Sequence, residues 1–231
     1  MQSVNIEFYR DKNPIVNDAY DRLVSKIPRL KQMQGYNLFT VTGCEPGVGS
    51  TTIAISLAVS LANSGWSTLL VDADIRKSAE KKRLSAEVKL GISEYLSGSL
   101  ELNDVVCKTN FAELHYLACG TEAESPVTLL NSDRLDYFMK LVSEKYDYVI
   151  FDSPALNTTI DAAIIASKTS GAILVAEYMQ TKQAKIEVAL RELEQIGGTL
   201  VGIVLNNVAR KDYRKYIENF DYFTKMKKKR K

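Results

Sequence analysis

The sequence predicts one doubly wound α/β domain, with a mostly parallel sheet flanked by helices. Short runs such as 69–71 and 148–151 are apolar at every position, and they alternate with longer segments in which apolar residues recur at helical spacing. Runs of this kind are typical of parallel strands buried between two layers of helices. A glycine-rich segment, 43–51, joins the first strong strand to the first strong helix, at the end of the sheet where this fold class binds its ligands.

Length and composition are those of an ordinary globular domain. The 231 residues are enough for a sizeable core. We expect no membrane-spanning helix, since no run approaches the ~18 consecutive apolar residues that one needs. We also expect no secretory signal, because the first residues lack a basic region followed by an apolar one. The three cysteines are odd in number and form no C-x-x-C pair, which argues against a disulfide framework or zinc site and favours a reducing cytoplasm.

The chain divides into three predicted regions. An N-terminal segment, 1–36, is polar and shows no clear strand, although 16–30 has the apolar spacing of an amphipathic helix. The main domain is expected over 37–210, and a tyrosine-rich, polybasic tail over 211–231. The predicted strands are 38–43, 67–73, 115–118, 147–152, 171–177 and 200–206. The predicted helices are 50–63, 92–97, 101–107, 126–144, 158–168, 181–196 and 211–219.

The glycine-rich segment 43–51, called here the phosphate loop, has the strand–loop–helix context of a nucleotide-binding motif. Its backbone N–H groups and the following helix N-terminus would attract an anion. The motif G-x-x-x-x-G-K-[ST] has a lysine where this chain has Ser50, so nucleotide binding is predicted and phosphoryl transfer is left open. At Cys44 the helix N-terminus could lower the thiol pKa, although a packing role is the simpler interpretation. The residues predicted to bind phosphate are Gly43, Glu45, Pro46, Gly47, Val48, Gly49, Ser50, Thr51 and Thr52.

Two of the predicted strands end in aspartate. Asp72 and Asp74 follow the run 69–71, and Asp152 follows 148–151. The carboxyl ends of parallel strands point toward the phosphate loop, where carboxylates can hold Mg²⁺. One such aspartate alone would more simply cap a helix, but three of them beside this loop favour metal and nucleotide. The predicted catalytic residues are therefore Asp72, Asp74 and Asp152, and the predicted metal ligands are Thr51, Asp72 and Asp152.

These segments together resemble the cytoplasmic kinase domain of the bacterial tyrosine kinases of the capsular-polysaccharide family. That family lies within the deviant Walker ATPases, which have the P-loop NTPase fold and include the partition and cell-division-site ATPases. The resemblance runs from about residue 14 to the C-terminus. It is carried by a Walker A segment at 42–52, the family's second motif at 69–76, a Walker B segment at 148–154, and the segments 91–98 and 202–206.

The resemblance implies binding of ATP and Mg²⁺ and phosphorylation of tyrosines in the C-terminal tail of a neighbouring subunit in a homo-oligomer. It implies that Asn206 approaches the adenine and that Asp74 is the base. It also implies control of exopolysaccharide synthesis and export, together with a transmembrane co-polymerase or adaptor that holds the chain at the inner face of the plasma membrane. The acceptors would be Tyr213, Tyr216 and Tyr222. Without the family resemblance, the simplest interpretation is that these tyrosines belong to a C-terminal amphipathic helix that covers the sheet.

Three departures from the family pattern stand out. Ser50 replaces the loop lysine. Asp21 and Val24 replace the two arginines of an E-x-x-R-x-x-R helix that supports ring assembly in the family, which puts assembly by that route in question. Lys77 follows Arg76 where the family has a proline, and we hypothesise that Arg76 or Lys77 supplies the charge missing at Ser50.

The tail is strongly basic. Six of the last seven residues are Lys or Arg, which leaves the rest of the chain mildly acidic. Such a tail is either a solvated end or an attachment to anionic lipid. We expect no nucleic-acid binding, because no basic stripe with interleaved aromatic residues occurs in the body.

Three functions are consistent with the sequence. The first is an ATP-dependent protein-tyrosine kinase, and the second is a degenerate pseudokinase that binds nucleotide and regulates without transferring phosphate. The third is a switch ATPase of the partition or septum type whose tail contacts membrane. Phosphate on the tail tyrosines would distinguish the first from the others, and lipid binding that depends on nucleotide would favour the third.

Overall fold

Eight strands of the described residues form one mostly parallel sheet. The computed structural model describes residues 2–7, 14–79, 88–209 and 211–213. The strands are β1 (Ser3–Val4), β2 (Leu38–Gly43), β3 (Thr68–Asp72), β4 (Val106–Thr109), β5 (Leu114–Leu117), β6 (Tyr148–Asp152), β7 (Gly171–Glu177) and β8 (Leu200–Asn206). The helices are α1 (Pro14–Gln34), α2 (Ser50–Asn63), α3 (Ile92–Leu96), α4 (Leu102–Val105), α5 (Pro126–Leu130), α6 (Asp133–Lys145), α7 (Asp161–Lys168) and α8 (Gln183–Gln195). Across these ranges no helix combines the length and apolar character needed to cross a bilayer.

The strand order is β1-β4-β5-β3-β6-β2-β7-β8. Neighbouring strands are parallel except β4 and β5, which are antiparallel. The predicted doubly wound α/β fold is therefore confirmed, and all six predicted strands are present with ends that differ by at most one residue. The central strands β3, β6 and β2 carry their carboxyl ends to one edge of the sheet, which is where the phosphate loop begins.

Two short strands at one side of the sheet, β1 and β4, escaped the prediction. β1 has only two residues, too few to show alternation, and it pairs Ser3 with Lys108 and Val4 with Thr109 of β4. The expectation that 1–36 contains no strand is therefore wrong. The helix predicted over 101–107 ends at Val105, because the next residues join β4.

The helix predicted over 126–144 is in fact two helices, α5 and α6. Asn131 donates from Nδ2 to the Val127 carbonyl oxygen (3.0 Å), and Ser132 donates from Oγ to the Leu129 carbonyl oxygen (2.7 Å). Asn and Ser side chains compete for backbone partners in this way and so favour helix ends over helix interiors. Of the predicted helix 211–219, residues 211–213 are helical and the remainder lies outside the described residues.

Apolar packing covers both faces of the sheet. Leu57 and Leu61 of α2 lie in the larger core cluster with the central strands, and α1 packs on α2. On β7, Ala172, Leu174 and Ala176 belong to a second cluster that includes residues of α7 and α8. The central strands are thus buried on both sides, which is why runs such as 69–71 and 148–151 are apolar at every position.

Candidate functional site

The phosphate loop leaves β2 and enters α2 through two glycines in the left-handed region. Gly47 has φ 84° and Gly49 has φ 90°, a conformation that other residues rarely adopt. α2 begins at Ser50, and no side chain caps its first turn. The N–H groups of that turn lack helical partners, so a bound anion can satisfy them. The loop therefore has the backbone geometry that a phosphate requires.

Backbone hydrogen bonds hold the loop to the neighbouring strands. The Cys44 N–H donates to the Val175 carbonyl oxygen (2.9 Å), and the Leu156 N–H donates to the Gly43 carbonyl oxygen (3.0 Å). A Cβ at Gly43 would lie 2.7 Å from Val48 Cγ2 and 2.8 Å from the Glu45 carbonyl oxygen, so the loop folds back tightly on itself. The resulting position of the loop is set by β7 and by the segment after β6.

Asn206 reaches the phosphate loop from the end of β8. Its Nδ2 donates to the Val48 carbonyl oxygen (2.9 Å), and a Cβ added at Gly49 would lie 2.2 Å from the same Nδ2. The structure thus brings Asn206 to the loop backbone. Its approach to an adenine ring stays a prediction.

Two of the predicted carboxylates are direct neighbours at the edge of the sheet. Asp72 pairs in register with Asp152, and Asp152 also pairs with Val41 of β2. Asp72 is buried and Asp152 half-buried, while Thr51 is exposed on the first turn of α2. The Asp74 N–H donates to Asp72 Oδ1 (3.2 Å). The structure therefore brings Asp72, Asp74 and Asp152 together.

The donor chemistry at this edge fits magnesium. Within the described ranges, no group of three or more His, Cys, Asp and Glu residues is arranged to hold a metal ion. Mg²⁺ does not need such a cage, since it usually keeps several waters and binds one or two carboxylates together with phosphate oxygens. Asp72, Asp152 and the Thr51 hydroxyl are hard oxygen ligands of that kind, so the predicted metal set has suitable chemistry.

The two cations that follow β3 are both paired with carboxylates. Arg76 donates from Nε and Nη2 to Asp161 at 2.6 and 2.8 Å, in a bidentate pair whose carboxylate is fully buried. This hydrogen bond raises the pKa of Arg76. Lys77 Nζ lies 3.3 Å from Asp74 Oδ2. Sequence reasoning missed Asp161, because the sequence showed it only as an acidic residue near the start of a predicted helix.

A third cation lies at the loop itself. Lys185 Nζ, from the first turn of α8, is 3.8 Å from Glu45 Oε1. Sequence reasoning missed this contact as well, because nothing in the spacing of residues so far apart in the chain indicates it.

Burial, and not the helix N-terminus, controls the ionisation of Cys44. The side chain is fully buried, and this burial, with a smaller contribution from the Glu45 charge, raises its pKa to about 11. The expectation of a lowered pKa is therefore wrong, and the packing interpretation is the one that the structure favours. The other two cysteines are also buried.

We expect iodoacetamide to alkylate folded Cys44 at pH 8 at least about tenfold more slowly than the unfolded chain, because the thiolate is the nucleophile. The pKa is higher in the folded state than its usual value of 9.0. The protonated Cys44 thiol therefore makes its full contribution to stability below pH 9, and this contribution is lost as the pH rises toward 11. Peptide mapping after timed alkylation, with a urea-unfolded sample as control, measures the rate. Equal rates in the two samples would contradict the prediction.

Of the three predicted acceptor tyrosines, Tyr213 lies within the described residues. Tyr213 is half-buried, and burial followed by the Asp18 charge raises its pKa. Asp18 forms a 2.6 Å ion pair with Arg22 on α1. Tyr216, Tyr222 and the basic residues 225–231 lie outside the described residues.

Val24, which replaces the second arginine of the family's assembly helix, is part of the core, and Asp21 is exposed. Residue 24 is therefore part of the apolar packing in this chain.

The chain is similar to known proteins in both sequence and structure. The family model described as an AAA domain matches residues 38–196. Tyrosine-protein kinase CpsD of Streptococcus agalactiae is 36% identical over 172 residues, which cover 74% of this chain and 75% of that protein. Tyrosine-protein kinase CpsD of Streptococcus pneumoniae serotype 4 is 34% identical over 194 residues, which cover 83% and 84%.

Among solved structures, the kinase domain of the Escherichia coli tyrosine kinase ETK matches with a TM-score of 0.74 at 26% identity. That match covers 91% of this chain and 90% of the solved chain. The family model spans β2 to β7 and so includes the phosphate loop and the strand-end aspartates. This chain belongs to the AAA-domain family and, within it, to the bacterial tyrosine-protein kinases represented by CpsD.

Proposed function

We propose that this chain is an ATP-dependent protein-tyrosine kinase that regulates capsular or exopolysaccharide synthesis and export by phosphorylating tyrosines of its own C-terminal tail or that of a second copy. The observation that carries the proposal is the adjacency of Asp72 and Asp152 at the sheet edge where the left-handed glycines of the phosphate loop open onto α2. Family membership supports the same reaction class.

In this proposal the chain positions the phosphates and prepares the acceptor. The N–H groups of Gly47, Gly49 and the first turn of α2 bind the β- and γ-phosphates. Asp72, Asp152 and Thr51 would hold Mg²⁺, which would supply positive charge to offset the negative charge that develops during transfer.

Asp74 accepts the proton of the tyrosine hydroxyl, whose pKa near 10 makes it a modest nucleophile without a base. Asp74 is mostly buried, and Lys77 holds its carboxylate from the exposed side.

A second function is favoured by Ser50. Loss of one charge-assisted contact removes about 1.5–3 kcal/mol of phosphate binding, and more if the lysine acts chiefly in the transition state. A chain without that charge could bind nucleotide and regulate its partner without transferring phosphate.

We further propose that a transmembrane co-polymerase or adaptor holds the chain at the inner face of the plasma membrane. The basic tail 225–231 would add attraction to anionic lipid, at about 1 kcal/mol per basic residue near the surface. The chain would act there as a homo-oligomer, so that one subunit presents its tail to the next.

Intact-mass analysis after incubation with Mg-ATP tests the first function. We expect mass to increase in steps of one phosphate, and the triple variant Tyr213→Phe, Tyr216→Phe, Tyr222→Phe to show no increase. The variant Ser50→Lys should bind ATP about 10- to 100-fold more tightly, since it restores a charge-assisted contact. One outcome would favour the regulator over the kinase. In that outcome the wild-type chain and Ser50→Lys both bind Mg-ATP, but only Ser50→Lys gains phosphate, even when the adaptor's cytoplasmic segment is present.

A further inference from the structure

Lys185 is a cation that the fold brings to the phosphate loop from a distant part of the chain. Its Nζ lies 3.8 Å from Glu45 Oε1, and its side chain is 52% exposed. Arg76 and Lys77 start nearer to the carboxylates in sequence, but their ion pairs with Asp161 and Asp74 are shorter, at 2.6 and 3.3 Å, than the 3.8 Å contact of Lys185. Lys185 is therefore the better candidate for the charge that Ser50 does not provide.

The position of Lys185 is built into the sheet. β7 pairs with β2 up to Gly43 and Val175, so the carboxyl end of β7 and the start of α8 lie beside the phosphate loop. Asn157 Nδ2, from the segment after β6, donates to the Lys185 carbonyl oxygen (3.1 Å). The first turn of α8 is thus tied to the segment whose Leu156 N–H holds Gly43.

The contact between Lys185 and Glu45 is loose enough to be exchanged. At 3.8 Å it exceeds hydrogen-bond distance, and both side chains are partly exposed, so an ion pair of this kind adds little stability. A lysine ammonium on a flexible four-carbon stem has three donors that can turn toward a stronger anion. A polyphosphate bound in the loop would be such an anion.

Glu45 creates a need for this cation. A carboxylate in a phosphate loop repels the phosphates that the loop binds, unless a positive charge lies close to both. Lys185 Nζ, 3.8 Å from Glu45 Oε1, is a positive charge close enough to offset this carboxylate.

We propose that Lys185 is a phosphate-binding residue that supplies from α8 the charge missing at Ser50, and that Glu45 holds it at the loop until nucleotide arrives. The proposal rests on the nucleotide binding proposed above. It assigns to Lys185 a contact with the β- or γ-phosphate of the bound nucleotide.

Calorimetric titration of the full chain with Mg-ATP and Mg-ADP tests this role. Lys185→Met should lower the affinity for Mg-ATP about tenfold or more, which corresponds to one charge-assisted contact. Lys182→Met, which removes the same charge at the residue that precedes α8, should change it less than about twofold. Lys185→Arg should retain most of the affinity, and the salt dependence should weaken in Lys185→Met but not in Lys182→Met.

The background Glu45→Gln separates phosphate contact from simple neutralisation of Glu45. If Lys185 contacts phosphate, Lys185→Met still lowers the affinity in the Glu45→Gln chain. If it only neutralises the carboxylate, Lys185→Met has no effect there, and the inference is overturned. If the wild-type chain binds nucleotide and Lys185→Met binds it with the same affinity, the inference is overturned but the proposed function is not. Failure of the wild-type chain to bind either nucleotide overturns the proposed function as well.

Discussion

Gly49→Ala is expected to weaken nucleotide binding on the order of 100-fold. Gly49 has φ 90°, and a Cβ there would lie 2.2 Å from Asn206 Nδ2. A non-glycine residue in the left-handed region costs about 1–2 kcal/mol. Moving the Asn206 amide away forfeits its hydrogen bond to Val48, at about 1 kcal/mol. These costs fall on the loop conformation that binds phosphate, and about 2–3 kcal/mol corresponds to the stated loss of affinity.

The control for Gly49→Ala is Gly65→Ala. Gly65 has φ 87° in the turn after α2, and a Cβ there would meet nothing within 4 Å. This variant suffers the same backbone strain far from the phosphate loop, so it should lose stability but keep its affinity. The double variant Gly49→Ala, Asn206→Ala removes the clash between the new Cβ and the Asn206 amide but keeps the backbone strain at residue 49. Affinity in Gly49→Ala equal to that of the wild-type chain would show that the left-handed turn is not needed for binding.

Arg76→Ala is expected to lower the free energy of unfolding by about 2–4 kcal/mol. Removing one partner of a buried ion pair leaves the other charge buried and unpaired, which usually costs about 3–5 kcal/mol. The expected value here is lower, because the Arg76 side chain is 40% exposed while Asp161 is 1% exposed. Urea unfolding measures the change. Phosphoryl transfer should fall as well, since the pair ties the segment that carries Asp74 to α7.

The chain offers a matched control in Arg22→Ala. The Arg22–Asp18 pair has the same 2.6 Å Nε–Oδ2 distance as the Arg76–Asp161 pair, but it lies on the exposed side of α1. Exposed pairs are screened by solvent and contribute little to stability, so Arg22→Ala should change stability much less than Arg76→Ala. If the two variants lose equal stability, burial of Asp161 does not set the cost. The double variant Arg76→Met, Asp161→Asn should recover part of the loss, because it leaves no unpaired charge.

The central strands were predictable because their signal is local and strong. Strands β2, β3, β6 and β7 are buried on both faces, and β3, β6 and β7 each contain a continuous apolar run. The position of Asp72 and Asp152 at one edge followed from one further rule, that parallel strands carry their carboxyl ends to the same edge. The short strands β1 and β4 lacked such a signal. The two residues of β1 cannot show a period, and β4 begins without a break after α4.

Local reasoning was wrong where a distant segment changed the environment. The rule that a helix N-terminus lowers a thiol pKa considers only the residues that follow Cys44. The side chain is in fact enclosed by the cluster that includes Leu156 and Leu174, and burial raises the pKa instead. The break between α5 and α6 is the opposite case. The residues that break the helix, Asn131-Ser132, are adjacent in the sequence, but the prediction gave 126–144 as a single helix.

Periodicity, the glycine-rich motif and strand-end chemistry predicted the α/β fold, the phosphate loop and the carboxylates beside it, because each of these signals depends on residues close together in the chain. Which cations serve the site depended on the tertiary structure. The strand order and the connections through α7 and α8 bring Asp161 to Arg76 and Lys185 to Glu45. Ion pairs between residues so far apart in the chain have no spacing to detect, since their geometry arises only when the sheet sets the distances between its edges and helices.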